Sequence, residues 1–171
     1  HVIAVASVGG IHADLAPGQL VVPHQIVDYT YGRHFTFFDS TEHRVTHIDF
    51  TLPYCQQTRS LLLRAAQKAN ETIRDGGVYA ATQGPRLETA AEIDRLERDG
   101  ADMVGMTGMP ETALARELGL NYATLAVVAN HAAGRGANVN GIPLKEISAV
   151  LEQAMVKVRN ILEQVVSCHG D

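Results

Sequence analysis

Polar side chains able to do chemistry follow several short apolar runs of the sequence. They comprise one acid, Glu88, one carboxamide, Asn130, and the hydroxyls of Ser7 and Thr107. An open α/β sheet binds its ligands beyond the carboxyl ends of its strands. We therefore expect these side chains, which follow four different strands, to line one composite pocket.

This set of groups suits the binding of a flat polar heterocycle together with an anion. The sequence shows no Ser–His–Asp order typical of nucleophilic catalysis and no pair of carboxylates placed for glycoside hydrolysis. The bound anion would then supply the nucleophile. An alternative for Glu88 is purely structural, because an acid in the first turn of a predicted helix also stabilises the helix dipole.

Composition narrows the class of protein. The chain has 171 residues, enough for one domain with its own core, and a net charge of −5 without a Lys/Arg cluster. Aromatic residues make up 5% and Trp is absent, so we expect no nucleic-acid partner. No signal peptide or membrane-spanning segment is visible in the sequence, which predicts a cytoplasmic protein without membrane attachment.

Metal binding is not expected, although the sequence contains eight histidines. They form no HxH pair and no HExxH motif, and Cys55 and Cys168 are too far apart for a metal or redox motif. The chain also begins with His1 directly before a strand, with no initiator Met. From this we expect an N-terminal portion to be missing.

Periodicity predicts alternating strands and helices, and hence an α/β fold. The predicted strands cover residues 2–6, 19–22, 23–28, 78–82, 102–106 and 121–129. The predicted helices cover residues 58–74, 87–98, 110–118 and 143–166, with Ile73 and Leu87 facing the core. A long loop over residues 29–47 carries the aromatic residues Tyr31, Phe35, Phe37 and Phe38, which suit a surface that binds a partner.

Five segments carry a resemblance to a known family. They are VGGI at 8–11, PGQLVVPHQIVD at 17–28, QGPRLETAAE at 83–92, GADMVGMTGMPE at 100–111 and the strand that ends in Asn130. Along essentially its whole length the sequence resembles the trimeric purine nucleoside phosphorylases and methylthioadenosine phosphorylases. The resemblance implies one domain over residues 1–171, with a phosphorylase-type central mixed β-sheet flanked by helices. It also implies a homotrimer.

The implied reaction is phosphorolysis, with inorganic phosphate as co-substrate and no cofactor. Phosphate attacks the anomeric carbon of a purine nucleoside while the bond to the base breaks. By position, the Ser7 N–H and the Thr107 hydroxyl would bind phosphate, and Met106 and Tyr79 would lie at the ribosyl group. His47 matches a position that reaches into a neighbouring subunit's site.

The base would lie among Val8, Gly9 and Leu87. By the same resemblance, Glu88 would bind the purine N1–H and Asn130 would hold N7 and O6. These two residues are therefore the expected catalytic pair. An ionised carboxylate can only accept hydrogen bonds, so Glu88 favours a 6-oxopurine over adenine.

The 5′ substituent of the sugar is expected near Ile142, Pro143 and Leu144. An apolar trio favours a methylthio group over a hydroxyl, which points to 5′-methylthioinosine as substrate. Three alternatives stay open: an inosine or guanosine phosphorylase, a methylthioadenosine phosphorylase, and a non-catalytic nucleoside-binding remnant. The last arises because the family's glycine-rich phosphate loop and Arg–His clamp precede the position matching His1.

Overall fold

The structure, a computed structural model, describes residues 1–40 and 44–168, without the side chains of Leu144 and Cys168. Its strands and helices, in chain order, are β1 (Val2–Gly10), β2 (Leu20–Val22), β3 (Gln25–Asp28), α1 (Gln56–Lys68), β4 (Ile73–Asp75), β5 (Val78–Ala81), α2 (Ala90–Arg98), β6 (Met103–Gly105), α3 (Glu111–Glu117), β7 (Tyr122–His131) and α4 (Leu144–Cys168). A short 3-10 helix covers Gly136–Asn138. None of the helices in the described ranges is long and apolar enough to cross a membrane.

All seven strands form one mixed sheet in the order β3-β5-β6-β1-β7-β2-β4. The two long strands β1 and β7 lie side by side and parallel at its centre. The short strand β6 pairs antiparallel with β1, and β2 pairs antiparallel with β7. The predicted α/β class, with a mixed sheet between helices, is confirmed.

The main core lies between the central strands and the helices α1 and α4. Leu62 of α1 and Val158 and Ile161 of α4 are fully buried against Leu125 and Val127 of β7. The residues between, such as Ala126 and Val128, are buried on the opposite face of the sheet, so the apolar run of β7 is buried along its length. The helix pair thereby holds β7, and with it the end of β7 that carries Asn130.

The predicted helix over residues 58–74 is wrong at its carboxyl end. Helix α1 ends at Lys68, and Asn70 adopts a left-handed conformation with φ 56° that the helix cannot continue through. Ile73 lies instead in β4, where it pairs in parallel with Leu20 of β2. Its apolar spacing fits a helix, but the hydrogen bonds offered by the edge of the sheet decide its structure.

The predicted helix over residues 87–98 begins later than expected. Thr89 is the N-cap of α2 and forms a capping box with Glu92, so Leu87 and Glu88 precede the helix. Leu87 is 40% exposed and does not face the core. The interpretation of Glu88 as a first-turn acid is therefore wrong, since Glu92 takes that place.

Candidate active site

A cavity of about 190 Å³, here called the central cavity, opens where β6, β1 and β7 lie next to one another. The turn before α2 and the segment that leads into α4 complete its wall. The lining residues are Ser7, Val8, Gly9, Leu87, Glu88, Val104, Gly105, Met106, Thr107, Ala129, Asn130, Ala132, Ile142 and Ile147. Eight of the ten predicted site residues are among them, and Tyr79 and His47 are not.

The strand β1 reaches the cavity because it continues beyond the predicted end at Ala6 as far as Gly10. Its pairing with β7 shifts by one residue between Val8 and Gly9, which marks a β-bulge. A Cβ at Gly10 would lie 2.4 Å from the carbonyl oxygen of Leu15, so only glycine fits there. Gly10 thus lets the backbone at Leu15 approach closely, next to Gly9, which lines the cavity.

Thr107 lines the cavity, whereas Tyr79 lies behind it. The Tyr79 ring is fully buried, and its hydroxyl lies 3.0 Å from the Thr107 Oγ1. The same hydroxyl accepts a hydrogen bond from the Thr107 amide at 3.2 Å. Tyr79, expected near the ribosyl group, thus lies behind the cavity wall and supports Thr107 from beneath.

Glu88 is half-buried at the cavity wall and is held by Thr82, a residue that no pattern in the sequence marks. Thr82, directly after β5, donates a hydrogen bond of 2.7 Å from its Oγ1 to the Glu88 Oε1. The Glu88 Oε2 has no hydrogen-bond partner among the described residues. One carboxylate oxygen is thus fixed, and the other remains available to a ligand.

Asn130 is also oriented by its surroundings. Its Nδ2 donates to the carbonyl oxygen of His131 at 2.6 Å, and the buried Asn138 donates to the same oxygen. This leaves the Asn130 Oδ1 and its second N–H without a protein partner in the described chain. Asn138 lies in a glycine-rich loop, and no local signal in the sequence marks it.

Arg33 joins two turns that border the cavity. Its Nη2 donates to the carbonyl oxygens of Met106 at 3.0 Å, Gln83 at 3.2 Å and Thr82 at 3.3 Å, and its Nη1 donates to that of Met109. A planar guanidinium can serve several carbonyl oxygens at once. The long loop that contains Arg33 is therefore attached to the site, a role that its local sequence does not indicate.

The apolar residues expected near the 5′ substituent lie only partly at the central cavity. Ile142 lines the central cavity, and Ile147 from α4 lies beside it. Pro143 lines an adjoining cavity instead, and the side chain of Leu144 lies outside the described residues. His47 is exposed and away from the central cavity of its own chain.

The charge of the cavity comes from one carboxylate. Among the described lining residues Glu88 is the acid, and none is Lys, Arg or His. Within residues 1–40 and 44–168, no group of three or more His, Cys, Asp or Glu side chains is placed to hold a metal ion. The cavity therefore offers hydrogen-bond acceptors, hydroxyls and apolar surface.

Comparisons of the sequence with known proteins indicate the family of the chain. A sequence profile described as the Phosphorylase superfamily matches residues 1–167. The chain is 54% identical over 166 residues to a probable S-methyl-5′-thioinosine phosphorylase of Pseudomonas syringae pv. tomato, covering 97% of this chain and 67% of the relative. It is 39% identical over 170 residues to a probable 6-oxopurine nucleoside phosphorylase of Thermococcus kodakarensis, covering 96% and 63%.

A solved structure gives the same picture of the fold. The methylthioadenosine phosphorylase of Schistosoma mansoni in complex with adenine matches with a TM-score of 0.93 and 29% identity, over 99% of this chain and 65% of that one. The chain therefore spans about two thirds of the length of these relatives. With a family profile that covers nearly every residue, the chain belongs to the phosphorylase superfamily.

Proposed function

We propose that this chain carries the nucleoside site of a purine nucleoside phosphorylase, a pentosyltransferase. The substrate is 5′-methylthioinosine, and inorganic phosphate is the co-substrate without any further cofactor. The products are hypoxanthine and 5-methylthioribose 1-phosphate. The observation that carries the proposal is the meeting of Glu88, Asn130 and Thr107 around one cavity.

Base recognition follows from the two oriented polar groups. The open Oε2 of Glu88 accepts the N1–H of a 6-oxopurine, whereas the N1 of adenine is itself an acceptor and is repelled. With one N–H engaged by the His131 carbonyl oxygen, Asn130 donates its second N–H to O6, and its Oδ1 accepts the N7–H that the purine carries once the bond to the sugar has broken. Once a bound base covers Glu88, a carboxylate left without a donor is costly, so the pair discriminates between the two bases.

At the sugar, the main task of the protein is to position phosphate and nucleoside so that one bond to C1′ replaces the other. A phosphate oxygen forms a bond to C1′ while the bond from C1′ to N9 breaks, and its electron pair moves into the purine ring. Hydrogen phosphate loses its proton as it becomes the sugar phosphate, and the departing purine takes up that proton at N7, where the Asn130 Oδ1 accepts the new N7–H. The Thr107 hydroxyl and the backbone of Ser7 hold the phosphate.

The 5′ substituent separates two candidate substrates. Ile142 and Ile147 bring apolar surface to the cavity, which favours a methylthio group and leaves a 5′-hydroxyl without a partner. The second candidate is a 6-oxopurine nucleoside phosphorylase acting on inosine. It is favoured by the name of the relative from Thermococcus kodakarensis.

The test is a comparison of base release from four reactions. They contain 5′-methylthioinosine, inosine or methylthioadenosine with saturating phosphate, and 5′-methylthioinosine without phosphate. We expect phosphate-dependent release, with kcat/KM for 5′-methylthioinosine at least about tenfold above inosine, equivalent to ~1.4 kcal/mol. A preference for inosine would establish the second candidate, and phosphate-independent binding alone would identify a non-catalytic remnant.

The proposed assembly is a homotrimer in which His47 serves the site of a neighbouring copy. Exposed aromatic side chains of the long loop support it: Tyr31 is 70% exposed, Phe37 49% and Phe35 39%. Mixing an inactive His47→Ala variant with an inactive Glu88→Ala variant should restore part of the activity, because some sites combine intact halves. A monomer by light scattering that turns over substrate would contradict the proposal.

A further inference from the structure

The hydroxyl of Thr82 is the direct partner of the carboxylate that faces the central cavity. Its Oγ1 lies 2.7 Å from the Glu88 Oε1 and 3.2 Å from the carbonyl oxygen of Gly105. A hydroxyl has one hydrogen to donate. The carboxylate is the nearer acceptor and the charged one, and charge-assisted hydrogen bonds are the stronger kind. The Thr82 hydroxyl therefore donates its hydrogen bond to the Glu88 carboxylate.

The main chain of Thr82 is fixed on both sides. Its amide donates to the Gly105 carbonyl oxygen at 2.8 Å, and its carbonyl oxygen accepts from Arg33 at 3.3 Å. Glu88 has no such support, because it precedes the N-cap of α2 and lies in the turn region between strand and helix. The Thr82 hydroxyl, carried by this fixed main chain, thus defines where the Glu88 carboxylate points.

We propose that Thr82 is a positioning residue that sets the base specificity of this site through its hydrogen bond to Glu88; the inference rests on the function proposed above. With Oε1 engaged as an acceptor, Glu88 presents Oε2 to the ligand as a second acceptor. This second acceptor suits the N1–H of a 6-oxopurine. Without the hydroxyl, the carboxylate is free to rotate, and the acceptor that faces the N1–H is no longer held in place.

The experiment compares Thr82→Val, which keeps the shape, with Thr82→Ser, which keeps the hydroxyl. Calorimetry measures the binding of hypoxanthine and adenine to each chain, and steady-state kinetics measure kcat/KM for 5′-methylthioinosine and methylthioadenosine. We expect Thr82→Val to weaken hypoxanthine binding about tenfold with adenine unchanged or improved. Thr82→Ser should stay within about threefold of the wild type for both bases.

A merely structural role would change both bases alike. An equal loss for hypoxanthine and adenine in Thr82→Val, or an unchanged preference, overturns the inference. Thermal unfolding confirms that each variant is folded, and Thr82→Ala, which adds no branched methyl group, replaces Thr82→Val if the latter fails to fold.

Failure of the proposed function has a different signature. A wild-type chain that prefers hypoxanthine but releases no base with phosphate contradicts the phosphorylase activity, while the binding comparison still decides the role of Thr82. A wild-type chain that binds neither base overturns both.

Discussion

The phenolic hydroxyl of Tyr79 contacts Thr107 twice, at 3.0 Å from its Oγ1 and at 3.2 Å from its amide nitrogen. Burial raises the pKa of Tyr79, so the hydroxyl keeps its proton at neutral pH. When Tyr79 donates that proton to the Thr107 Oγ1, the hydrogen of Thr107 is free to point toward an anion. A side chain behind the cavity wall thereby prepares the one proposed to bind phosphate.

Removing this hydroxyl should weaken phosphate binding selectively. For Tyr79→Phe we expect KM for phosphate to rise about fivefold to tenfold, with stability lower by about 1 kcal/mol. The kcat/KM for the nucleoside at saturating phosphate should change less than about twofold. Tyr122→Phe, also buried but outside the central cavity, is the matched control in the same kinetic assay. An equal effect of both variants would show that Tyr79 acts only through packing.

Lysine should not replace Arg33 without a loss of stability and activity. A lysine ammonium cannot reach the carbonyl oxygens of Thr82, Gln83 and Met106 with one planar group. We expect Arg33→Lys to lower stability by about 1–3 kcal/mol, a fall in Tm of roughly 2–4 °C per kcal/mol, and to reduce activity. Thermal unfolding of Arg64→Lys, at an exposed position of α1, provides the comparison, and an Arg33 variant equal to it would contradict the role.

Asn130→Asp should shift the base preference toward adenine. The carboxylate offers no donor for O6 but accepts from a 6-amino group and from N7–H. We expect the ratio of kcat/KM for 6-oxo over 6-amino nucleosides to fall at least about tenfold, or ~1.4 kcal/mol. Asn121→Asp, an exposed change outside the central cavity, should leave the ratio as in the wild type. A ratio unchanged by Asn130→Asp would remove Asn130 from base recognition.

A polar substitution at Ile142 should reduce the preference for the methylthio group. In Ile142→Ser, kcat/KM for 5′-methylthioinosine is expected to fall about fivefold, from the loss of apolar contact at ~0.8 kcal/mol per methylene-sized unit. Inosine should be affected less than about twofold. Val139→Ser lies in the same segment and is 67% exposed, so it serves as control. Parallel losses on both substrates would place the 5′ group elsewhere.

The start of α2 should carry a measurable pH dependence of stability. Hydrogen bonds from Arg86 and from the Thr89 backbone lower the pKa of Glu92 from 4.5 to about 2. The ionised carboxylate therefore stabilises the fold fully above about 4.5, and this contribution is lost as the pH falls toward 2. Both side chains of the ion pair are exposed, so we expect no more than about 1 kcal/mol.

The measurement is the difference in Tm between wild type and Glu92→Gln across this pH range. It should be constant above about pH 5 and shrink below it, as protonation makes the two chains alike. Glu152→Gln, on an exposed position of α4, controls for the change in net charge. A difference that does not vary with pH would mean that the capping geometry, and not the charge of Glu92, stabilises the helix.

The α/β class and most of the cavity lining were predictable from the sequence, because they depend on patterns local to each segment. Apolar runs such as Tyr122–His131 mark buried strands, and polar residues at their ends must meet where strands lie side by side. Ser7, Thr107 and Asn130 therefore line one cavity as expected. The acid Glu88 stands out among these residues, but its expected role, the binding of the purine N1–H, came from the resemblance to a family.

Tertiary structure decided which side chains support these residues. Tyr79 and Thr107 are 28 residues apart, and Arg33 lies 73 residues from Met106, so no local pattern connects them. Ile73 forms a strand because β2 offers it hydrogen bonds, although its spacing fits a helix. Periodicity reports which face of a segment is apolar. The partner that satisfies a hydroxyl, a guanidinium or an edge amide depends on how distant segments pack, and only the folded chain determines that.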